Sequence, residues 1–105
     1  MLTNKLILVL LPALVVTISQ SVYAADAAAG RQLAEKWCAR CHNIEKGAPF
    51  KLSPPSFASI AVYRAEPDIQ GKIIFPHIGM PDTMWVLQRE DVDNIVAYIT
   101  SLEAK

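Results

Sequence analysis

Cys38-Ala39-Arg40-Cys41-His42 contains the only two cysteines of the chain and sets a histidine directly behind the second. On a single helical turn, side chains three positions apart share a face, so both thiols are presented together with His42 next in line. Any fold this chain adopts has to close around whatever those thiols take. A disulfide between Cys38 and Cys41 would leave His42 without a purpose. A thiol–disulfide redox pair shares the C-x-x-C spacing but sits on a strand–helix–strand scaffold. A zinc site requires more cysteines or histidines than this sequence has to spare.

The amino-terminal segment says where that chemistry takes place. Lys5 precedes an apolar run from Leu6 to Ile18 broken only by Pro12 and Thr17, and Val22-Tyr23-Ala24 has the small or tolerated residues of a cleavage site. This is the layout of a secretory signal peptide, predicted over residues 1–24 with cleavage after Ala24, Ala25 being the alternative. A membrane anchor fits less well, because the run of about 13 residues falls short of the roughly 20 that a spanning helix needs. The domain is therefore residues 25–105, about 81 residues with a side-chain charge of about −1. The leader implies export to an oxidising compartment, with no stable membrane insertion expected once it is gone. Ten Lys plus Arg balance ten Asp plus Glu over the full chain, so the basic excess of a nucleic-acid binder is missing. A domain this short seldom builds a sufficient core and usually depends on a staple or a bound group. In an oxidising compartment free thiols do not persist, and the cysteines must be occupied.

The hydrophobic periodicity predicts helices throughout. Residues 25–38 are alanine-rich with Asp26 at the favourable end of the dipole, and Leu33 and Trp37 are expected on the inner face. Gly30 interrupts this helix at a cost of about 1 kcal/mol, which makes sense if another backbone passes close by. Residues 43–55 read as loop, with Gly47, Pro49 and Pro54-Pro55. A short helix over 56–64 has Ser56 as its cap and Phe57, Ile60 and Ala61 on one face. Another starts with Pro67 in its first turn and runs to about Phe75, with Ile69, Ile73 and Ile74 inward, until Pro76 stops it. Around Met80, residues 76–83 form a rigid loop. The last helix has the apolar stripe Val92, Ile95, Val96, Ile99 and Leu102, acidic residues in its first turn, and Tyr98 placed to press against the gap at Gly30. With no alternating strand pattern, the predicted class is all-α.

The C-x-x-C-H run reads as a site of covalent c-type haem attachment, each thiol forming a thioether with one vinyl group and the imidazole of His42 ligating iron. Chance produces such a run about once in a thousand chains of this size. For the sixth ligand the candidates are Met80, Met84 and His77. Met80 is favoured, because Gly79 lets the backbone approach and Pro81 stiffens the loop. Met84 is assigned to packing near Trp85, and His77 to the loop surface, since its offset from Met80 lets only one of the two reach the metal. A thioether opposite a histidine leaves iron without an open position and raises its potential.

Gly30, the 38–42 pentad, Pro55-Ser56-Phe57, His77-Ile78-Gly79-Met80-Pro81, and Ala97-Tyr98-Ile99 with Ser101-Leu102 together give a chain that resembles the small monohaem class I cytochromes c of the bacterial periplasmic type, over nearly all of residues 25–105. The resemblance implies a cytochrome c-like fold in which the first and last helices cross at Gly30 and Tyr98. It also implies that the Pro55 carbonyl accepts the ring N–H of His42, and that Tyr63, Arg64 and Trp85 are candidates to bind the haem propionates. Gln88 departs from the pattern, where Ser or Thr would cap the last helix better.

The expected activity is one-electron transfer by a soluble monomer that is not an enzyme. Haem c is bound through Cys38 and Cys41, its iron ligated by His42 and Met80. Phe57, Ile60, Ile74, Phe75 and Trp85 are expected to wall the haem from water. Redox proteins are the partners, a donor dehydrogenase or respiratory complex and an acceptor oxidase or reductase, meeting the carrier in small, short-lived interfaces. Arg40, Lys46, Lys51 and Lys72 are candidates for a basic docking patch. Two alternatives stand beside this: a thiol–disulfide oxidoreductase using the cysteine pair, and a haem-bearing subunit of a larger respiratory or dehydrogenase complex.

Overall fold

The structure, a computed structural model, describes residues 9–17, 24–75, 80 and 85–103. Four helices follow one another: α1 (Ala27–Trp37), α2 (Phe57–Tyr63), α3 (Glu66–Ile74) and α4 (Arg89–Ser101). No strand occurs among the described residues, and a single bridge between Leu52 and Pro55 marks the loop ahead of α2. The fold is all-α, as the periodicity predicts.

α1 starts where its cap allows. The Asp26 carboxylate accepts from the amides of Ala28 and Ala29 at 2.9 and 3.1 Å, occupying two of the donors that a helix start leaves unpaired. The Asp26 amide in turn donates to Asn94 Oδ1 at 2.8 Å, fixing the start of α1 to the middle of α4. One turn further on, the helices touch backbone to backbone: a Cβ built on Gly30 would lie 1.8 Å from the Asn94 carbonyl oxygen and 2.9 Å from the Ile95 nitrogen. The helix-weakening glycine is therefore required by the crossing.

Two details of that crossing differ from expectation. Gly30 faces Asn94 and Ile95, whereas Tyr98 lies a turn along α4 and turns its hydroxyl to Ile44. A backbone contact this close leaves no room for a ring between the helices. On α1 the buried positions are Gly30 and Ala34, with Leu33 half-buried against the core; Trp37 is half-buried too, with the Lys36 ammonium 5.0 Å from its ring. Close approach selects small residues for the contact line and displaces the large ones to its flanks.

The other helices follow their local chemistry. Ser56 caps α2 by accepting from the Ser59 amide at 3.2 Å, and the two serine hydroxyls lie 2.6 Å apart in the interior. α3 has Pro67 in its first turn and buries Ile69 and Ile73; Ile74, a step off that stripe, is half-buried. α4 begins with the Gln88 amide donating to the Asp91 carboxylate at 2.9 Å, so an acidic side chain three residues on supplies the closure that Ser or Thr would have given. Its stripe of Val92, Ile95, Val96 and Ile99 forms the spine of the core, with Leu102 buried just past the last turn. Complete burial of Ile95 and near-complete burial of Ile99 stabilise the fold by about 1.5–3 kcal/mol each.

Residues 9–17 form no helix and are exposed throughout. Among the described residues no helix is long and apolar enough to cross a membrane.

Gly30→Ala places its methyl group on the α4 backbone, which cannot rotate away as a side chain would. Denaturant unfolding of the holoprotein, followed by helical circular dichroism, is expected to lose about 3 kcal/mol of stability.

Candidate functional site

The pentad continues α1 as one further turn. The Cys38 amide donates to Ala34 at 2.8 Å, and the Cys38 carbonyl accepts from the Cys41 and His42 amides at 3.1 and 2.9 Å. Cys38 is half-buried against the core and Cys41 is exposed. Burial pushes the Cys38 thiol up to about 11. A redox-active cysteine needs its value lowered, so this environment works against thiol–disulfide chemistry.

The His42 Nδ1 lies 2.6 Å from the Pro55 carbonyl oxygen. A carbonyl only accepts, so Nδ1 carries a proton and Nε2 is the ring nitrogen left for a metal. Phe57 packs against the same imidazole, the ring centroids 5.6 Å apart and tilted.

Cys38, His42 and Met80 line one cavity of about 350 Å³. Its walls are Leu52, Pro55, Phe57 and Ile60 on one side and Ile69, Ile73, Ile95 and Ile99 on the other. Exposed Arg64, just past the end of α2, and Asp68 and Lys72, one turn apart on α3, supply its polar rim. The donor set is soft sulfur plus imidazole in an apolar surround, which suits haem iron and its macrocycle. The residues present fit haem c.

Several expected positions fall elsewhere. Phe75 and Trp85 are 74% and 80% exposed and do not line the cavity, because α3 ends at Ile74 and Phe75 leaves the inward stripe. Ile74 faces a separate groove beside Leu87 and Val92. Leu52, Ile69, Ile73, Ile95 and Ile99 take their places as walls. The four isoleucines are visible as core in the helical periodicity, and Leu52 lies between prolines where no period exists to mark it. Of the propionate candidates Arg64 lines the cavity, while Tyr63 and Trp85 do not; Tyr63 packs edge-on against Phe50. Of the four cations proposed for a docking patch, Lys72 reaches the cavity rim, Arg40 lines a second groove with Cys41 and Glu45, and Lys46 and Lys51 are exposed on the loop. His77, Gly79, Pro81 and Met84 lie outside the described residues.

Tyr98 was expected at the helix gap and instead serves the site's periphery. Its hydroxyl donates to the buried Ile44 carbonyl at 2.6 Å, and its ring lies 6.3 Å from that of Phe57. A tyrosine within an apolar stripe must find a polar partner, and that requirement was the available signal.

Helices crossing at a glycine, over an apolar cavity with a C-x-x-C-H turn in its wall, define a class I cytochrome c. Comparison with known proteins agrees: residues 25–99 match the family described as cytochrome c oxidase, cbb3-type, subunit III, and the chain belongs to this cytochrome c family. It is 40% identical to cytochrome c-552 of Bradyrhizobium diazoefficiens over 80% of this chain and 82% of that protein. It is also 47% identical to cytochrome c2 of Pararhodospirillum photometricum over 32% of this chain and 30% of that protein. No solved structure matches the chain significantly. The protein thus carries covalently bound haem c and transfers electrons with redox partners; it is not an enzyme.

Burial raises the Tyr98 hydroxyl above its ordinary value of 10.0, with Glu45 adding to the shift and Arg31 opposing it. The folded state therefore holds this proton more tightly than the unfolded chain. The resulting stability is complete below pH 10 and is lost as pH rises through the raised value. Between pH 9 and 12 or so, the denaturation midpoint of the native protein is expected to fall more steeply than that of Tyr98→Phe, which has no such proton.

Proposed function

We propose that this protein is a soluble periplasmic electron carrier holding a single haem c through Cys38 and Cys41, with His42 and Met80 as the residues that would hold its iron. It acts as a monomer between a donor dehydrogenase or respiratory complex and an acceptor oxidase or reductase. The observation that carries this is the meeting of Cys38, His42 and Met80 in one apolar cavity, with His42 Nδ1 already committed to Pro55.

Haem c, when bound, supplies a one-electron iron couple. The chain's own residues determine how that couple behaves. The Pro55 carbonyl fixes the His42 tautomer and directs Nε2 to the ligand role. Met80, which lines the same cavity, would hold the iron together with His42, and two such side-chain ligands would favour electron transfer over activation of an exogenous ligand. The isoleucine walls and Phe57 exclude water, lowering the local dielectric and raising the potential. Arg64 and Lys72 at the rim offer cations to the haem carboxylates.

The leader reading, residues 1–24 removed after Ala24, is supported by the exposed and helix-free apolar segment at 9–17 and by a family match that begins at residue 25. The name of the matched family favours one second reading, a haem-bearing subunit of a larger oxidase. Migration of the extracted protein as a free monomer distinguishes the carrier from that subunit.

Protein made in a host competent for haem attachment is expected to begin at Ala25 and to have the mass of the peptide plus one haem. Its oxidised spectrum should contain the sulfur-to-iron charge-transfer band, lost entirely in Met80→Ala and kept in Met84→Ala and His77→Ala. The reduced wild type should not bind carbon monoxide without denaturant, whereas reduced Met80→Ala should. Retention of the band in Met80→Ala overturns the ligand assignment.

A further inference from the structure

We propose that Tyr98 is a positioning residue for His42, gripping both chain segments between which the imidazole is held; this rests on His42 being the iron ligand, as proposed above. The first segment is residues 42–44 and the second is 55–57. Two hydrogen bonds tie them into a closed ring: the Phe57 amide donates to the Asn43 carbonyl at 2.9 Å, and His42 Nδ1 donates to the Pro55 carbonyl at 2.6 Å. Tyr98 touches both. Its hydroxyl donates to Ile44 at 2.6 Å on the first segment, and its ring packs on Phe57 of the second, whose own ring rests against His42.

The grip comes from the most firmly placed element of the fold. Tyr98 lies on α4 one turn beyond the backbone contact with Gly30, so its own position is set by the helix crossing and not by the loops it holds. Tyr98 and Ile44 are both buried, so without the hydroxyl the Ile44 carbonyl would have neither its partner nor water. Arg31 of α1 adds a second hold, on Glu45 immediately after the first segment, at 2.6 Å. Both side chains of that pair are exposed, and solvent screening makes it the lesser of the two.

The test is hydrogen exchange on the reduced holoprotein, comparing the His42 Nδ1 proton with the Ile95 amide at the helix crossing. Tyr98→Phe keeps the ring and removes only the hydroxyl. It is expected to accelerate exchange of the His42 proton about tenfold, to leave the Ile95 amide within about twofold, and to shift the reduction potential. Tyr98→Leu, which also removes the ring contact with Phe57, should accelerate the His42 proton further, and Glu45→Gln should change it less than about twofold. Equal acceleration of both protons would reveal general loosening, and no change in the His42 proton of Tyr98→Phe would reveal no hold at all; either result overturns the proposal. If Tyr98→Leu does not fold, Tyr98→Phe decides. Failure of the underlying assignment looks different: His42 ring protons in the wild type would lack the large shifts that a haem ligand experiences, and the inference would fall with it.

Discussion

A single backbone contact governs this structure. Where α1 and α4 cross, Gly30 lets the Asn94 carbonyl come closer than any side chain would allow, and Asn94 secures the approach by accepting the Asp26 amide. The direction of α1 fixes where the turn of Cys38 to His42 emerges, and the direction of α4 fixes Ile95 and Ile99 on the far wall of the cavity. Both halves of the site thus inherit their relation from one crossing. Packing interactions elsewhere fill space around it; this contact sets the coordinates.

Its second property is incompleteness. The core is a modest set of buried side chains arranged along α4, and a large apolar cavity opens beside it. Among the described residues that is a small interior for a chain of 105 residues to rely on. Covalent haem serves two ends at once, since the group that carries the electron also supplies apolar surface that the polypeptide does not have. The same economy appears in the ligand's surroundings. Pro55 ends the irregular loop, orients His42, and leads directly into the Ser56 cap of α2.

Much of this was legible in the residues. Ser56 and Pro67 marked the starts of α2 and α3 to within a residue, and the stripe from Val92 to Leu102 marked α4, because capping and 3.6-residue periodicity are local properties. Gly30 announced a close approach, but not its partner. Asn94 looks like a solvent-facing polar residue until the neighbouring helix is in place, since its role is to bond a residue 68 positions away. Phe75 and Trp85 were misplaced for the reverse reason: both are aromatic beside the site in sequence, yet α3 stops short of the first, and the second is exposed. Hydrophobicity ranks residues for burial without saying which wall they join. The pentad, by contrast, was readable as chemistry because its spacing fits within a single turn.

The cap of α1 has a consequence for the front edge of the domain. Asp26 accepts two amides through its side chain, accepts the Gly30 amide through its carbonyl and donates its own amide to Asn94, so four bonds converge on the residue that caps α1. A substitution that removes the Asp26 carboxylate strips the helix start of its cap but keeps the tie to α4, because that tie comes from the backbone amide.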